Sequence, residues 1–308
     1  MKKALVTGGS GFIGAYLTAD LVNRGYDVAV FSRRGVSKLL SDVEDKITVY
    51  RGDVSELVDV MEAIGGFKPD YVFHMAAVLG DVAFRKPMLA FRTNIQGTVN
   101  VLEASRLIGV EKVILASSIA VFSAGAPEPV TDDSPKMPTD PYGISKLFSE
   151  LWSLALVKRY SLDIRGLRGP WIFGPGRTLG STAFSSLIIQ KPALGEPVEV
   201  PDLSGNWCYV KDFTDALIMI AEAKDPKSRF YLAGGENKST REVAEIVKEL
   251  IPEAQITIKP PTSVAAMWPQ SYDDTKFRKD FNWRPKYTIR EAIEDFIREV
   301  RENPEKYT

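Results

Sequence analysis

The sequence predicts an α/β fold, a doubly wound parallel sheet with a smaller C-terminal α/β domain. Up to about Arg168, short β-branched runs alternate with stretches of helical periodicity, which indicates a parallel sheet with helices on both faces. From Gly169 onward, repeated prolines divide the chain into short pieces typical of a loop-rich substrate-binding region. Three glycines after the first apolar run indicate a turn from the first strand into the first helix.

Six short apolar runs are predicted to form the strands of this sheet. They cover Lys3–Thr7, Asp27–Phe31, Ile47–Arg51, Tyr71–His74, Val113–Ala116 and Asp163–Leu167. A helix at Asp212–Ala223 and a strand at Phe230–Ala233 are predicted to return to the same sheet. Two later helices have recognisable start signals, because Ser239 and Thr288 each stand three residues before a glutamate and so fit a capping box.

The glycines of the first turn, Gly8, Gly11 and Gly14, predict a seat for a pyrophosphate group. A strand that ends in a glycine-rich turn and opens a helix exposes unpaired backbone N–H groups where the helix dipole is positive. Gly8 makes the tight turn, Gly11 lets the backbone approach the phosphates, and Gly14 lets the helix lie close to the strand. Phe12 and Ile13 join them as candidate cofactor contacts.

Composition indicates a small-molecule partner. The 308 residues carry 39 Lys+Arg and 40 Asp+Glu, a formal net charge of −1, without the basic block expected of a protein that binds nucleic acid or an anionic membrane. A single cysteine, Cys208, excludes an internal disulfide and fits a reducing compartment. No apolar stretch reaches the roughly 18 residues that span a bilayer, and the N-terminus leads directly into a core strand. We therefore expect a cytoplasmic protein without a signal peptide or metal site.

Length and sequence texture together divide the chain into two domains. A dinucleotide-binding domain is predicted at residues 1–170, with 206–233 returning to it. A smaller substrate-binding domain is predicted at 171–205 and 234–308. The second domain is therefore discontinuous.

Tyr142 and Lys146 are the candidate catalytic pair. They lie four residues apart at the start of a predicted helix, so their side chains share one face. An ammonium group beside a phenol favours the phenolate, which can exchange a proton with a substrate hydroxyl or carbonyl. Ser118 follows a buried strand at the carboxyl edge of the sheet and is predicted to bond the substrate oxygen. The same spacing recurs at Tyr272 and Lys276, to which we assign no chemistry.

These motifs, with others in the same order, resemble the extended short-chain dehydrogenase/reductase superfamily, of the NAD-dependent epimerase/dehydratase type. The resemblance covers nearly the whole chain. It rests on the glycine loop, Gly52–Val54, His74–Ala77, Asn94 within 93–98, Ser117–Ser118, Tyr142–Lys146, and Arg168 ahead of Phe173–Gly176. It implies a Rossmann-like fold, a nicotinamide cofactor, and a reaction in which Tyr142 is the acid/base and Ser118 polarises the reacting oxygen.

The resemblance also implies where the cofactor lies. Asp53 contacts the adenine, Ala76 and Ala77 lie near the phosphates and ribose, and Lys146 binds the nicotinamide ribose. Further implied cofactor contacts are Val54, Asn94 and Pro170. His74, the only histidine, is usually structural at this place in the family.

The end of the second strand departs from the common NAD pattern. NAD-dependent members place an acidic residue there to accept hydrogen bonds from the ribose 2′-hydroxyl, whereas this chain has Ser32, Arg33 and Arg34. A carboxylate repels a 2′-phosphate, but guanidinium groups and a hydroxyl bind one. We therefore expect NADP rather than NAD.

Two branches of the superfamily compete for the reaction. Residues 267–274, 281–285, 118–122 and 180–182 resemble the short-chain L-threonine dehydrogenase type. They make Thr182 and Trp268 candidate substrate contacts. Gly80 and Ala183 stand where that branch carries serine and aspartate, so threonine itself is not the expected substrate.

Nucleotide-sugar epimerases supply the other resemblance, through residues 173–177, 195–197 and 207–212. Gly205 stands near the place where those enzymes put an arginine on the nucleotide diphosphate. That anion contact is lost unless Arg177 or Arg168 replaces it. Arg177 is therefore a further candidate substrate contact.

Two more possibilities are set against these branches. A sugar 4,6-dehydratase needs an acidic pair directly after Ser118, where Ile119 and Ala120 stand, so dehydration is not expected. A protein that senses NADP without turnover need not keep Ser118, Tyr142 and Lys146 together. We expect an NAD(P)-dependent oxidoreductase acting on a secondary alcohol or ketone, with a nucleotide-sugar epimerase as the alternative and a non-catalytic NADP sensor as the second alternative.

Two long helices predict self-association. Pro87–Leu107 and Tyr142–Tyr160 carry more apolar surface than one sheet face needs. Members of the superfamily often pair these helices across a twofold axis, which implies a homodimer.

Overall fold

A computed structural model describes residues 1–122, 125–261 and 268–308. The chain divides into two compact units. The first comprises Met1–Val121, Pro138–Arg168 and Thr214–Tyr231, and the second comprises Phe122–Met137, Gly169–Phe213 and Leu232–Thr308.

These units differ from the predicted domains in two substantial places, besides the shorter shifts that put residues 169–170 and 232–233 in the second unit. Residues 122–137 belong to the second unit, where the Val130 N–H donates to the Ser271 carbonyl at 2.9 Å. The return to the first unit begins at Thr214 rather than at residue 206. The reason is that Ser204–Tyr209 pairs within a separate small sheet and adds no strand to the main one.

The described residues contain twelve strands. They are β1 Lys3–Thr7, β2 Asp27–Ser32, β3 Ile47–Arg51, β4 Tyr71–His74, β5 Lys112–Ser118, β6 Asp163–Gly169, β7 Trp171–Phe173, β8 Val198–Pro201, β9 Ser204–Tyr209, β10 Phe230–Leu232, β11 Glu236–Ser239 and β12 Ile256–Lys259. All six strands predicted for the first half of the chain are present, and so is the predicted late strand β10. Strand β5 extends two residues beyond its predicted end, to Ser118.

The main sheet confirms the doubly wound, Rossmann-like fold. Its strand order is β10-β6-β5-β4-β1-β2-β3, and β1 is parallel to both β2 and β4. Thr7, the last residue of β1, is level with Phe31 on one side and His74 on the other. The order reverses beside β1, and a crevice outside the carboxyl ends of the strands at such a reversal is where open α/β sheets bind ligands.

Eleven α-helices lie within the described residues. They are α1 Phe12–Asn23, α2 Leu57–Phe67, α3 Gly80–Arg85, α4 Pro87–Ala90, α5 Gly97–Ile108, α6 Pro141–Tyr160, α7 Phe184–Ala193, α8 Val210–Glu222, α9 Thr240–Leu250, α10 Thr275–Phe281 and α11 Ile289–Glu302. Both predicted capping boxes are present, at Ser239 and Thr288. The single helix predicted over Pro87–Leu107 is corrected to α4 and α5 joined by a π-helical turn at Phe91–Gln96, where Asn94 turns its amide onto the backbone of a neighbouring loop.

Helices cover both faces of the main sheet because successive strand residues point to opposite sides. Ala29 and Phe31 of β2 pack in the cluster that holds α2 and α5, whereas Val30 between them packs with Ala15 of α1. These strand side chains are almost completely buried. Full burial of a side chain of valine or phenylalanine size contributes about 1.5–3 kcal/mol each, so the sheet core holds the loops at its carboxyl edge in place.

The second unit is built on two small sheets, β11-β9-β7 and β12-β8. Its core is aromatic: Trp207 meets Trp171 and Phe173 edge to face, each at 5.8 Å between ring centroids. None of the helices in the described part of the chain combines the length and apolar character needed to cross a membrane.

Candidate active site

The glycine loop shapes the first turn of α1 for an anion. Gly8 has φ +67°, and a Cβ there would lie 2.8 Å from the Ala76 Cα. A Cβ on Gly14 would meet the Gly8 carbonyl oxygen, so neither position accepts a side chain. Gly11 is the N-cap and brings no side-chain hydrogen bond to the helix end, so backbone N–H groups of the first turn can donate to a bound anion. This cradle fits the pyrophosphate of a dinucleotide.

Three arginines stand where β2 and β3 end, namely Arg33, Arg34 and Arg51. Arg33 and Arg34 are exposed, and the Arg33 Nη1 lies 3.6 Å from the Asp53 Oδ2. Ser32 is buried, and its hydroxyl donates to the Gly35 carbonyl at 2.8 Å, so that hydroxyl is already used within the loop. Arg51 is level with Ser32 in the β2–β3 register, and its guanidinium lies beside Gly35, 3.2 Å from a Cβ placed there.

Arg51 is a residue that the sequence reasoning missed. It stands directly before the Gly52–Val54 motif, but only the strand register brings it to the Ser32–Gly35 loop. Its adjacency to a cofactor motif was the available signal. The loop therefore carries one more cation than the sequence predicted.

Asp53, the predicted adenine contact, and Val54, a further predicted cofactor contact, lie in a tightly bonded turn after β3. The Asp53 Oδ1 accepts hydrogen bonds from the Ser55 N–H and hydroxyl, both at 2.9 Å. The Val54 carbonyl accepts from the Asn100 side chain at 2.9 Å. These bonds fix the turn, while the role of Asp53 toward the adenine and that of Val54 toward the cofactor stay predictions.

The loop after β4 is held by Asn94. Its Oδ1 accepts from the Val78 N–H at 2.7 Å and its Nδ2 donates to the Val78 carbonyl at 3.0 Å, with a further bond to the Ser145 hydroxyl at 3.1 Å. The asparagine amide thus positions the backbone that follows Ala76 and Ala77, which are half-buried. In this structure its contribution to the predicted cofactor site is indirect.

His74 is hydrogen-bonded on both ring nitrogens. Thr98 donates its hydroxyl proton to the Asn94 carbonyl at 2.6 Å, so its oxygen receives the His74 Nε2–H at 3.1 Å. The other nitrogen, Nδ1, then accepts from the Thr7 hydroxyl at 2.7 Å. Burial, with a smaller effect of the Lys146 charge, lowers the pKa of His74 to about 3. The ring is neutral and ties β4 to β1 and α5, which is a structural role.

The helix α6, which carries the candidate catalytic pair, begins at a strong cap. The Asp140 Oδ1 accepts from the N–H groups of Tyr142 and Gly143 at 3.0 Å each, and Pro141 takes the first helical position. A Cβ on Gly143 would collide with the Ala120 carbonyl, so glycine lets the helix start lie against the end of β5. The cap and the glycine together place Tyr142 beside the strand end.

Lys146 lies one turn further along α6 and is buried. Its ammonium donates to the Ala116 carbonyl at 2.7 Å and lies 5.6 Å from the centre of the Tyr142 ring. Burial disfavours the charged form and lowers the pKa of Lys146 from 10.5 to about 8. The predicted tyrosine–lysine pair is therefore assembled on one face of the helix.

Ser118 completes the arrangement at the end of β5. It is 9% exposed, and its Oγ accepts from the Ala120 N–H at 3.1 Å. Accepting this bond does not use the hydroxyl proton of Ser118, which the predicted role as donor to a substrate oxygen requires. The preceding Ser117 donates instead to Glu150, a buried carboxylate that the sequence reasoning did not single out.

The predicted substrate residues of the second unit are positioned separately. Arg177 donates to the Thr182 hydroxyl at 2.5 Å and to the Ile172 carbonyl, so the two predicted contacts meet each other. Trp268 is half-buried, and its indole N–H has no hydrogen-bond partner in the described part of the chain. Met267, which belongs to the same predicted motif, lies outside the described residues. Pro170 accepts from the Ile172 N–H at 3.0 Å.

Two observations bear on the missing diphosphate arginine. A Cβ on Gly205 would lie 2.5–2.7 Å from three carbons of the Trp171 indole, so this position has no room for any side chain. Arg168 is 6% exposed in its side chain and bound to Glu150, which excludes it as the replacement. Arg177 remains as the candidate.

No group of histidine, cysteine, aspartate and glutamate in residues 1–122, 125–261 and 268–308 is arranged to hold a metal ion.

Comparison with known proteins identifies the family. Residues 4–234 match the model of the NAD dependent epimerase/dehydratase family. The chain belongs to this family. The predicted membership of the extended short-chain dehydrogenase/reductase superfamily is thereby confirmed.

The relatives in this family carry out different reactions. The chain is 25% identical to a GDP-mannose 4,6-dehydratase of Sordaria araneosa, over 96% of this chain and 60% of that protein. It is 28% identical to the mitochondrial L-threonine 3-dehydrogenase of Bos taurus, over 95% of this chain and 81% of that protein. The structure of the Thermus thermophilus UDP-glucose 4-epimerase in complex with NAD superposes with a TM-score of 0.83 at 28% identity, covering 96% of this chain and 99% of that one. The chain is thus similar to a dehydratase, a dehydrogenase and an epimerase, the three kinds of enzyme considered above.

Proposed function

We propose that this protein is an NADP-preferring oxidoreductase that moves a hydride between nicotinamide and a secondary alcohol or ketone of a small hydroxylated substrate. The observation that supports it most directly is the buried Lys146 ammonium on the Ala116 carbonyl, one helical turn from Tyr142 and next to the strand end that carries Ser118. When bound, the nicotinamide supplies or accepts the hydride.

The chain's own residues handle the proton and the oxygen. The Ser118 hydroxyl donates to the reacting oxygen and fixes its position. The Tyr142 phenolate takes the alcohol proton during oxidation and becomes a phenol, which donates that proton back during reduction. The Lys146 ammonium stabilises the phenolate form of Tyr142. Residues of the glycine loop, Gly8 to Gly14, hold the pyrophosphate through backbone N–H groups.

Arg33, Arg34 and Arg51 support NADP over NAD. They place three cations around one loop that has Asp53 as a nearby counter-charge, and guanidinium groups bind a phosphate through paired hydrogen bonds. The family is NAD-dependent and the Thermus thermophilus relative was solved with NAD. The proposed preference for NADP is therefore a property of this chain and not of the family as a whole.

Titration of NADPH and NADH into three proteins tests this preference. The wild type should bind NADPH more tightly, and the Arg33→Ala/Arg34→Ala variant should lose about tenfold or more in NADPH affinity, because a hydrogen bond to a charged group contributes about 1.5–3 kcal/mol. The NADH affinity should change little. Arg241→Ala/Arg290→Ala removes two exposed arginines of the second unit as a matched control. Equal affinities for both cofactors in the wild type would refute the preference.

The packing at Gly205 favours a small substrate over a nucleotide sugar. Trp171 fills the space in which epimerases of the family are expected to place an arginine, and Arg168 is held by Glu150. Dehydration is not proposed, because buried Ile119 and Ala120 stand where the acidic pair is needed.

Epimerisation of a nucleotide sugar is the second candidate, favoured by the likeness to the Thermus thermophilus UDP-glucose 4-epimerase. The fate of the hydride separates the two reactions. A dehydrogenase releases its ketone, so NADPH accumulates in proportion to product when NADP and the right alcohol are supplied. An epimerase returns the hydride to the same carbon, so reduced cofactor never exceeds the enzyme. A screen of small alcohols and nucleotide sugars, read by NADPH absorbance and product analysis, decides between them; epimerised sugar without NADPH build-up would reverse our choice.

We also propose that the protein forms a homodimer through α6 and the helical segment 87–108. Apolar side chains on these elements are exposed although they belong to long ordered helices. They are Met88, Phe91 and Leu107 in the first segment and Ile144, Leu151, Trp152 and Leu154 on α6. Such exposed apolar patches are typical of subunit interfaces. Light scattering at micromolar concentration should give twice the chain mass, and a monomer mass would contradict the pairing. The cytoplasmic location likewise stays a prediction.

A further inference from the structure

A buried ion pair lies one helical turn beyond Lys146. The carboxylate of Glu150 accepts two hydrogen bonds from Arg168, from Nε at 2.9 Å and from Nη2 at 2.8 Å. The side chains are 3% and 6% exposed. The Ser117 hydroxyl donates to the same carboxylate at 2.5 Å, so three side chains form one closed cluster.

This cluster joins three elements at the reacting end of the sheet. Ser117 belongs to β5, Glu150 to α6 and Arg168 to β6. The paired register of β4 with β5 ends at His74 and Leu115, so residues 116–118 continue past their neighbour on that side. The bond from Ser117 to Glu150 restrains this overhanging end.

The two neighbours of Ser117 are the ones that the proposed chemistry uses. The Ala116 carbonyl accepts from the Lys146 ammonium, and Ser118 carries the hydroxyl that the proposed function assigns to the substrate oxygen. Lys146 and Glu150 are four residues apart on α6, so their side chains share one face of the helix. The Lys146 ammonium and the Glu150 carboxylate therefore both bind the end of β5. A displacement of Ser117 therefore moves both the Ala116 carbonyl, which accepts from the ammonium, and the Ser118 hydroxyl.

Stability alone does not account for such a pair. The cost of removing two charges from water can exceed their mutual attraction, and buried pairs are often replaceable by apolar residues without loss of stability. A bidentate guanidinium–carboxylate contact does, however, fix the orientation of the carboxylate. Geometry is thus what the Arg168–Glu150 pair supplies to the site.

We propose that Glu150, oriented by Arg168, is a positioning residue that acts through Ser117 to place the Ala116 carbonyl under Lys146 and the Ser118 hydroxyl at the substrate. The roles of Lys146 and Ser118 are those of the proposed function. The location of the ammonium, however, can be measured without substrate or cofactor.

The protonation of Lys146 reports this positioning. The groups that face it are Tyr142 on its own helix and the neutral His74 of β4, while Glu150, paired with Arg168, lies one helical turn further along α6. The Ala116 carbonyl stabilises the ammonium form, so loss of that acceptor lowers the lysine pKa. Ser117→Ala removes no charge, which keeps the electrostatic surroundings the same.

The experiment is a pH titration by NMR of protein carrying ¹³C-labelled lysine, with the Lys146 signal assigned from Lys146→Arg. The pKa of Lys146 should fall by about 0.5–1 unit in Ser117→Ala, the size expected for one lost hydrogen bond. Ser117→Thr keeps the hydroxyl and should restore the wild-type titration. Ser153→Ala is the matched control, because Ser153 is buried like Ser117 but lies on α6 and donates to the Ser149 carbonyl within the helix.

Two results would overturn the inference: a Lys146 titration in Ser117→Ala that matches the wild type, or one displaced to higher pH because water has replaced the carbonyl. If Ser117→Ala does not fold, Arg168→Lys is read in the same way, since it keeps the positive charge while the fixed bidentate contact to Glu150 is lost. With a substrate in hand, kcat of Ser117→Ala should fall about tenfold with KM little changed. Failure of the proposed function would remove that last measurement and leave the NMR result intact.

Discussion

The chain contains two tyrosine–lysine pairs with the same spacing, and they lie in opposite surroundings. Tyr142 and Lys146 share one face of α6, with the ammonium 5.6 Å from the ring and bound to a strand carbonyl. Tyr272 instead donates its hydroxyl to the Pro269 carbonyl, and Lys276 pairs with Asp133 at 3.5 Å. In the second pair, therefore, both the phenol and the cation are directed to other groups.

Burial acts on the two pairs in opposite ways. Burial of Lys146 lowers its pKa to about 8, so that this side chain loses its proton more readily than an exposed lysine. Burial of Tyr272, with the nearby Glu128 charge, raises the pKa of that phenol and keeps it protonated. The spacing of four residues therefore does not distinguish the two pairs, whereas the burial of Lys146 beside the Tyr142 ring does.

The largest expected effect is on turnover. Tyr142→Phe should lower kcat about 10²–10⁴-fold, the usual contribution of a positioned acid/base, while NADPH binding and the fold are kept. Tyr272→Phe is the matched control and should leave kcat within about twofold, because its hydroxyl bonds the Pro269 carbonyl, away from the proposed chemistry. Both are measured as NADPH formation with the alcohol found by screening. Substantial activity of Tyr142→Phe would remove the distinction between the pairs.

The next effect concerns stability and pH. Because the folded-state pKa of Lys146 is about 8 and the unfolded value is 10.5, the unfolded chain holds a proton between these values that the folded chain has released. The free energy of unfolding therefore rises with pH across this window, by at most about 3 kcal/mol. Lys146→Met should abolish the rise.

Urea unfolding at pH 7 and pH 10 measures this difference. Lys276→Met is the control and should keep the wild-type rise, since Lys276 is a partly exposed lysine paired with Asp133. An equal pH dependence in Lys146→Met and wild type would show that Lys146 is not the buried cation we describe.

A smaller loss is expected from Ser118→Ala. Its hydroxyl is one preorganised donor at the reacting oxygen, so kcat should fall by about 10²-fold or less, and by less than in Tyr142→Phe. The phenol of the second pair offers no comparable donor, because Tyr272 already meets the Pro269 carbonyl. Kinetics of the two single variants under the same conditions give the ranking; a larger loss in Ser118→Ala would transfer the main role to the serine.

The smallest effect is predicted for the ion pair between Lys276, of the second tyrosine–lysine pair, and Asp133. The Asp133 side chain is 86% exposed, so Asp133→Asn should change the free energy of unfolding by less than about 1 kcal/mol, and less still at high salt. Its kcat should equal that of the wild type. Loss of activity in this variant would mean that the Lys276 region contributes to the reaction after all.

The strands were predictable because their signal is local. Each is a short run of β-branched and aromatic residues between turn residues, and the observed bounds of the first six differ from the predicted ones by at most two residues, as at β5. The π-helical turn at Phe91–Gln96 was not predictable in this way, because it forms where Asn94 bonds the backbone of Val78, a contact between distant parts of the chain. The cluster of Ser117, Glu150 and Arg168 was missed for the same reason.

Local patterns in the chain were enough to predict the fold class, the family, and Tyr142, Lys146 and Ser118 as candidates, because glycine turns, hydrophobic periodicity and residue spacing act over a few residues. The folded chain was needed to show which tyrosine–lysine pair has a buried ammonium, that Arg51 lies beside the loop after β2, and that Trp171 fills the space at Gly205. Strand register, desolvation and close packing arise when distant segments meet, so their effects on charge and space appear only in the folded chain.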